Sequence, residues 1–284
     1  MRDDFAIFIL SHGRADRVKT IKSLNRANYT GKYYFICDDE DEQLDKYKEN
    51  FGDDKVIVFS KSRYQNQFDI MDNFSGNKVI VYARNVVWDI AKQLGLTYFW
   101  ELEDDYSNFR IRYSQDGVLR TYYIREMDYV IDLFLDYLDK SNASCIAFAQ
   151  SGELMGGTSG GVWENAIKRK VMNTLFCKTD RKFLWLGRMN DDVNTYLQRG
   201  KIGDLFLQFG RIQVDQEATQ KSKSGNTTAY LKFGTYVKSF YSVMIHPSAC
   251  KVSFMGNGHY RVHHKINWNN AVPKIISSDF RKEN

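Results

Sequence analysis

The chain has few of the residues that usually form linkers between domains or cross-links within a domain. Only 2 prolines occur in its 284 residues, so no proline-rich linker marks a domain boundary. The 4 cysteines are far apart and show no CxxC spacing, which argues against a zinc site or a disulfide framework. No apolar run approaches membrane-spanning length, and no internal repeat is present. We therefore expect one globular domain, residues 1–284, with buried free thiols.

Neither positive nor negative charge is in large excess. The formal net charge is +5, which permits a polyanionic partner without requiring one. Aromatic residues make up 15% of the chain, a content that fits either stacking on bases and sugars or a thick core. The first residues, MRDD, lack the apolar region of a signal peptide, so we expect a cytoplasmic protein.

Apolar runs and helical patterns alternate in the first 110 residues. A run such as Phe5–Leu10 is typical of a strand that is buried on both faces. The pattern predicts strands at 5–10, 32–37, 55–59 and 98–102, and helices at 16–27 and 79–94. The second half is less regular, with a helix predicted at 124–138 and a strand at 144–149. The predicted fold is α/β, a Rossmann-like and mostly parallel sheet flanked by helices.

Three consecutive carboxylates follow the last of these strands. Glu103, Asp104 and Asp105 repel one another, and a hard divalent cation such as Mg²⁺ or Mn²⁺ would neutralise them. Because Mg²⁺ is usually held by one or two carboxylates and by phosphates, the triplet indicates a site for a metal and a diphosphate. A solvated acidic turn, the commoner role of a run of charges, is the alternative.

Polar residues also follow the first two strands, at 11–14 and 38–41. In open α/β sheets, ligands bind beyond the carboxyl ends of the strands. Three polar strand ends at the same edge of the sheet therefore predict a nucleotide site.

Together these segments resemble the nucleotide-sugar glycosyltransferases of the GT-A type. The resemblance rests on the strand end ILSHGR at 9–14, the DxD-like triplet at 103–105, the acid pair in NDDV at 190–193, and late histidines. More narrowly, the segments ILSHGRAD, FICDDED and KSFYSVM, at 9–16, 35–41 and 238–244, resemble the TET/JBP-associated glycosyltransferases. Those are phage enzymes that glycosylate hydroxymethylated pyrimidines, such as 5-hydroxymethylcytosine, in DNA.

The resemblance implies a role for each polar cluster. Residues 1–110 would form the nucleotide-binding half and residues 111–284 the acceptor-binding half. The UDP-sugar donor would contact a set of residues from the first half: Ser11, His12, Arg14, Asp38, Asp41, Arg84 and Asp104. Asp105 would bind Mn²⁺ or Mg²⁺ directly, and Glu103 would act through water or on the donor ribose. A late histidine would complete the metal site, with His259 as the first choice and His263 and His264 as the alternatives; binding of diphosphate or of the DNA backbone is the other role open to these three.

The acid pair Asp191 and Asp192 carries the predicted catalysis. Asp192 is the first choice for the general base that takes the proton of the acceptor hydroxyl, and Asp191 is the second. A helix N-cap at Asn190 or Asp191 is the structural alternative. The structural alternative for Asp38 and Asp41 is to cap the following helix. For Arg14 and Arg84 the structural alternative is a surface ion pair.

Two departures from the family pattern affect these predictions. Glu103 opens the metal motif in place of an aspartate, a change that keeps a carboxylate available for an oxygen-seeking cation. Asp191 stands where a glutamate is common in inverting members, which leaves open which acid is the base and whether the enzyme inverts; we expect inversion.

The predicted function is thus a metal-dependent transfer of a sugar from a UDP-sugar to a hydroxymethylated pyrimidine in phage DNA, in the cytoplasm of the host. The target base would be single-stranded or flipped out of the duplex. One alternative is the same fold acting on a glycan or another acceptor. The alternative from another class is a non-catalytic nucleic-acid-binding protein. No membrane partner is expected.

Overall fold

The computed structural model describes residues 1–74, 79–154, 156–216, 236–255 and 261–271, with the single positions 231, 234 and 278. The strands are β1 Phe5–Leu10, β2 Lys32–Asp38, β3 Val56–Phe59, β4 Tyr98–Glu103, β5 Tyr106–Gln115, β6 Val118–Tyr123, β7 Cys145–Gln150, β8 Ile167–Lys168, β9 Leu175–Lys178, β10 Phe206–Gln216, β11 Cys250–Met255 and β12 Arg261–Ile266. The helices are α1 Thr20–Arg26, α2 Leu44–Phe51, α3 Val81–Gln93, α4 Met127–Ser141, α5 Gly161–Glu164, α6 Asp191–Gly200 and α7 Lys238–Ile245, and a short turn of helix spans Trp268–Ala271.

Ten of the described strands form one sheet in the order β3-β2-β1-β4-β9-β7-β10-β5-β6, with β8 paired to β10. Strands β3, β2, β1 and β4 are parallel to one another. All six residues of β1 are buried, because helices cover the sheet on both faces. The predicted α/β fold with its parallel strands and flanking helices is confirmed.

Beyond β4 the sheet becomes mixed. Strand β9 lies between β4 and β7 and is antiparallel to both, and β10 is parallel to β7. The β5–β6 hairpin forms the far edge through an antiparallel ladder with β10. The strand predicted at 144–149 is β7, Cys145–Gln150. The sequence does not predict β9 or the hairpin, because β9 is short and the hairpin alternates polar and apolar residues without a buried run.

Helix α1 is shorter than predicted. The pattern indicates a helix over 16–27, but the helix begins only at Thr20. The backbone amides of Lys19 and Thr20 donate to the carbonyl oxygen of Asp104 over 2.8 and 3.2 Å, and the Thr20 hydroxyl donates to the carbonyl of Glu103 over 2.5 Å. These bonds to the end of β4 hold the preceding segment outside the helix and bring it to the carboxyl edge of the sheet.

Two apolar layers cover the sheet. One face packs against α1, α2 and α4 and contains Trp100, and the other packs against α3 and α6 and contains Trp88 and Trp185. The β11–β12 hairpin and α7 pack beside α6. Among the described helices, none combines the length and the apolar character needed to cross a membrane.

Candidate active site

The carboxyl ends of β1, β2 and β4 meet at one edge of the sheet. Leu10, the last residue of β1, is paired with Ile36 of β2 on one side and with Glu103 of β4 on the other. The three polar segments that follow these strands therefore lie side by side, as the strand order requires.

Asp104 is the buried centre of the first cluster. Its carboxylate accepts hydrogen bonds from the Ser11 hydroxyl over 2.5 Å and from the Arg14 guanidinium over 2.6 Å. Tyr47, from α2, contacts Ser11 over 2.5 Å and accepts the backbone N–H of Arg14 over 2.9 Å. Burial raises the pKa of Asp104, while Arg14 and Ser11 oppose that shift. Because both carboxylate oxygens are engaged, Asp104 holds the segment 11–14 in place.

His12 joins the first strand end to the second. Its Nδ1 lies 2.8 Å from Asp38 and 3.9 Å from Asp41, and Asp41 also accepts the backbone N–H of Gly13 over 2.8 Å. The Lys61 ammonium contacts the other oxygen of Asp38 over 2.9 Å. Burial alone would raise the pKa of Asp38, but the bonds from His12 and Lys61 outweigh it and lower that pKa to about 2. Since an ionised carboxylate only accepts, His12 carries its proton on Nδ1 and leaves Nε2 for a ligand.

Glu103 and Asp105 lie where β4 passes into β5. Glu103 accepts hydrogen bonds from Arg84 over 2.9 Å and from the side-chain amide of Gln216, in β10, over 2.7 Å. One oxygen of Asp105 is buried without a hydrogen-bond partner. Burial, together with the charges of Glu103 and Asp104, raises the pKa of Asp105 to about 7. Asp105 therefore keeps one oxygen that accepts no hydrogen bond from a described residue.

This arrangement fits a divalent cation. Among the described residues, no group of three or more His, Cys, Asp or Glu side chains could hold a metal ion by itself. Mg²⁺ sites commonly have only one or two protein carboxylates, and phosphates and water complete the coordination. The unpartnered oxygen of Asp105 and the excess of negative charge around it meet that requirement.

Arg84 lies between the strand-end acids and the acid pair of α6. It is only 3% exposed, and its guanidinium contacts Glu101 over 2.8 Å and Glu103 over 2.9 Å. Its Nε lies 2.8 Å from Asp191, with which it forms an ion pair. One buried positive charge therefore faces three carboxylates, and burial raises the pKa of Glu101 to about 8.

Asp191 and Asp192 are the first two residues of α6. Asn190 precedes the helix with φ +53° and makes no capping bond with its side chain, so Asn190 is not the side-chain N-cap that the sequence offered as one alternative. Burial, followed by the charge of Asp191, raises the pKa of Asp192 to about 7, against the bond that its carboxylate accepts from the Val193 backbone. The positive end of the helix dipole stabilises both acids at this position.

His259, the predicted third metal residue, lies outside the described residues. The structure instead brings His264 of β12 to the acid pair, since its Nδ1 lies 3.3 Å from the side-chain amide of Asn190. Burial and the neighbouring His263 and Lys238 lower the pKa of His264 to about 4, so its ring is neutral at pH 7.

Three residues of the site have no counterpart in the sequence analysis. Tyr47, Lys61 and Gln216 contact Ser11, Asp38 and Glu103, respectively. Each comes from an element whose place beside the site depends on tertiary packing. The one usable signal is the position of Lys61 just after β3, the strand next to β2.

The family follows from comparison with known proteins. A family model described as TET-Associated Glycosyltransferase matches residues 5–225. The chain belongs to this family. The membership confirms both the predicted family and the predicted class of enzyme, a glycosyltransferase. No curated protein sequence matches the chain.

The solved glycosyltransferase structures that match this chain are only distantly similar to it. Glucosyl-3-phosphoglycerate synthase from Mycobacterium tuberculosis, solved with Mg²⁺ and UDP, is 10% identical with a TM-score of 0.47, over 92% of this chain and 87% of that one. S. aureus TarS residues 1–349, solved with UDP, is 8% identical with a TM-score of 0.43, over 85% of this chain. The chain spans 64% of that TarS chain.

Proposed function

We propose that the protein transfers a sugar from a UDP-sugar to a hydroxymethylated pyrimidine base in DNA, with the help of a divalent cation. The observation that carries this proposal is the link through Arg84 between two acidic groups of different roles. Glu103, the first residue of the metal motif, and Asp191, beside the candidate base, contact the same guanidinium. In this proposal the donor site and the base lie within reach of one another because Arg84 contacts residues of both.

The donor would bind at the segments after β1 and β2. Nε2 of His12 is held ready by the bond from Nδ1 to Asp38, and the Arg14 guanidinium lies at the same edge, beside Asp104. In this proposal Asp38 and Asp41 orient His12 and the Gly13 backbone, and Ser11 and Asp104 orient Arg14 toward the diphosphate. Arg84, expected from the sequence to contact the nucleotide, is enclosed by carboxylates and acts instead by positioning Glu103 and Asp191.

The divalent cation would be bound by Asp105 directly, with Glu103 acting through water or on the donor ribose. When bound, the cation acts as a Lewis acid that stabilises the charge on the leaving diphosphate. The unpartnered oxygen of Asp105 supports its role as the direct ligand.

Asp192 would act as the general base, with Asp191 as the alternative. The ionised carboxylate of Asp192 accepts the proton of the acceptor hydroxyl while that oxygen forms a bond to the anomeric carbon of the sugar. The bond from the anomeric carbon to the UDP oxygen breaks, and UDP leaves with the electron pair. Attack from the face opposite to UDP inverts the anomeric configuration. The engagement of Asp191 by Arg84 supports Asp192 as the base.

The DNA acceptor would bind to the half formed by residues 111–284, and the donor to residues 1–110. The family membership and the net charge of +5 support a DNA acceptor. Because the reacting hydroxyl belongs to a base, the acceptor is single-stranded or the base is flipped out of the helix.

The proposal is tested by mass spectrometry of nucleosides from DNA that contains 5-hydroxymethylcytosine or 5-hydroxymethyluracil. The DNA is incubated with the protein, Mn²⁺ and each of a panel of UDP-sugars. We expect a gain of one sugar mass with one donor and no gain with Asp105→Ala. Hydrolysis of a donor without any gain would overturn the DNA acceptor and keep the transferase, and the absence of both would overturn the whole proposal.

A further inference from the structure

The β5–β6 hairpin has a composition unlike the rest of the chain. Residues 106–125 contain four arginines and one aspartate, a net charge of +3, whereas the whole chain carries +5. Four tyrosines lie in the same segment, and lysine is absent from it. Arginine binds phosphate in a fixed bidentate geometry and stacks on planar rings, so this composition matches nucleic acid better than a general basic surface would.

The hairpin starts at the candidate active site. Tyr106, the first residue of β5, follows Asp105 directly and is paired with Gln216, which donates to Glu103. The ladder between β5 and β10 ends at the pair formed by Ile111 and Ile212. From there on β5 is paired with β6 alone, so the outer half of the hairpin leaves the sheet as a two-stranded ribbon.

Side chains on this ribbon are exposed on both faces. Tyr113 and Tyr122, on the face that continues from Phe109 and Ile111, are 42% and 43% exposed, and Tyr123 on the opposite face is 47% exposed. Tyr113 is paired with Arg120 across the ladder. By this register Arg120 shares a face with Tyr113 and Tyr122, and Arg112 lies with Tyr123 on the other face, so each face of the ribbon presents a cation and an exposed ring. The turn at Gly157–Ser159 contacts β6, and the Thr158 hydroxyl donates to the carbonyl oxygen of Gly117.

Three of the four arginines form no ion pair with a described carboxylate. Arg110 forms an ion pair of 2.9 Å with Asp215, and Arg125 donates to the carbonyl oxygen of Arg26 over 2.7 Å. Neither Arg112 nor Arg120 forms an ion pair with any described carboxylate. Burial and the charge of Arg110 lower the pKa of Arg112, while the charge of Asp215 opposes that shift.

We propose that the β5–β6 hairpin is the surface that binds the DNA backbone, with Arg112 and Arg120 as its phosphate contacts. The inference rests on the proposed function, because it concerns the acceptor of that reaction. Arg112 lies six residues along β5 from Tyr106, about 20 Å at the usual strand rise. That distance corresponds to about six nucleotides along a DNA strand. A two-stranded ribbon is also narrow enough to enter the major groove.

This geometry predicts an effect that depends on the length of the acceptor. In Arg112→Gln/Arg120→Gln, the KM for a 30-base-pair duplex with one 5-hydroxymethylcytosine is expected to rise tenfold or more. Turnover on a trinucleotide with the same base is expected to stay unchanged, because it does not reach the ribbon. Loss of two phosphate contacts should also reduce the slope of log Kd for the duplex against log salt by about 2.

The matched control is Lys92→Gln/Lys140→Gln, which removes two exposed charges at the carboxyl ends of α3 and α4. Thermal unfolding of the wild type and of both double variants tests whether the variants are folded. An equal effect of both double variants, or an equal effect on both acceptors, would overturn the hairpin as the binding surface. The inference would also be overturned if light scattering showed that Arg112→Gln/Arg120→Gln changes the oligomeric state while its affinity for the duplex is unaltered. The outer edge of β6 would then be a surface that pairs with a second copy of the chain.

The experiment distinguishes an error in the hairpin inference from an error in the proposed function. If the wild-type protein modifies the trinucleotide and the duplex but Arg112→Gln/Arg120→Gln does so equally well, the hairpin inference alone is wrong. If the wild-type protein hydrolyses a UDP-sugar but modifies neither acceptor, the DNA acceptor is wrong and the hairpin inference falls with it.

Discussion

Arg84 and Asp191, which belong to different helices, form an ion pair of 2.8 Å in the interior of the protein. The same guanidinium contacts Glu103, the first residue of the metal motif, over 2.9 Å. One side chain therefore sets the position of the first turn of α6 relative to the end of β4. In the proposed reaction, that relationship fixes the distance between the acceptor oxygen and the donor.

Replacement of Arg84 tests this positioning role. Arg84→Met leaves three buried carboxylates without their cation, and we expect it to reduce the free energy of unfolding by about 3–5 kcal/mol. Arg84→Lys keeps the positive charge but removes the planar guanidinium that contacts three carboxylates. This variant should therefore fold and show a lower kcat. The KM for the donor should stay close to that of the wild type, since Arg84 does not contact the nucleotide in our proposal. A large rise in that KM with kcat unchanged would contradict the positioning role.

Asp105→Asn tests the metal site. The amide cannot supply the anionic oxygen that Mn²⁺ and Mg²⁺ prefer, so hydrolysis of a UDP-sugar and Mn²⁺-dependent binding of UDP are expected to fall below detection. Calorimetric titration of UDP with and without Mn²⁺ measures this. Asp54→Asn is the control, because the Asp54 side chain is 77% exposed and remote from the strand ends. Unchanged metal dependence in Asp105→Asn would rule out Asp105 as the direct ligand.

The pH dependence of turnover identifies the general base. Asp192 has its pKa raised to about 7 by burial and by the charge of Asp191, and only its ionised form accepts a proton. With metal and donor saturating, kcat is expected to rise as the pH increases through about 7. Asp192→Asn should lower kcat by about 10²–10⁴-fold and remove this dependence. Asp191→Asn serves as the comparison, and a larger loss of kcat there, with the fold intact, would assign the base to Asp191 instead.

Stability of the metal-free protein is expected to fall between pH 6 and pH 8. A carboxyl group with a raised pKa binds its proton more tightly in the folded state, so its contribution is present below the unfolded value of about 4 and is lost as pH rises through the folded value. Glu101 has a pKa of about 8, and Asp105 and Asp192 have values of about 7.

Urea unfolding at several pH values measures this loss. Mn²⁺ with UDP should flatten the dependence, because a bound cation replaces the proton at Asp105. Asp38, whose pKa is lowered to about 2, titrates outside this range and does not contribute to the slope. Stability that rises from pH 6 to pH 8 would contradict the raised pKa values.

Much of the first half of the fold could be predicted from local pattern. β1 and β4 are continuous apolar runs, and such runs alternate with amphipathic helices only in a few architectures. The carboxyl ends of parallel neighbours must meet at one edge, so the approach of Ser11, Asp38 and Glu103 follows from strand order alone. The antiparallel strands β9 and β5 were not predictable in this way, since their partners lie far away in the chain.

The sequence by itself determined the family and the acids at the strand ends. Tertiary structure decided which of those acids remain available. The oxygens of Asp104 and Asp38 are bound by side chains from distant elements, whereas Asp105 keeps an unpartnered oxygen. The roles differ because a carboxylate is defined by the donors and charges around it. Those neighbours, such as Arg84 and Lys61, are brought together by packing rather than by spacing in the sequence.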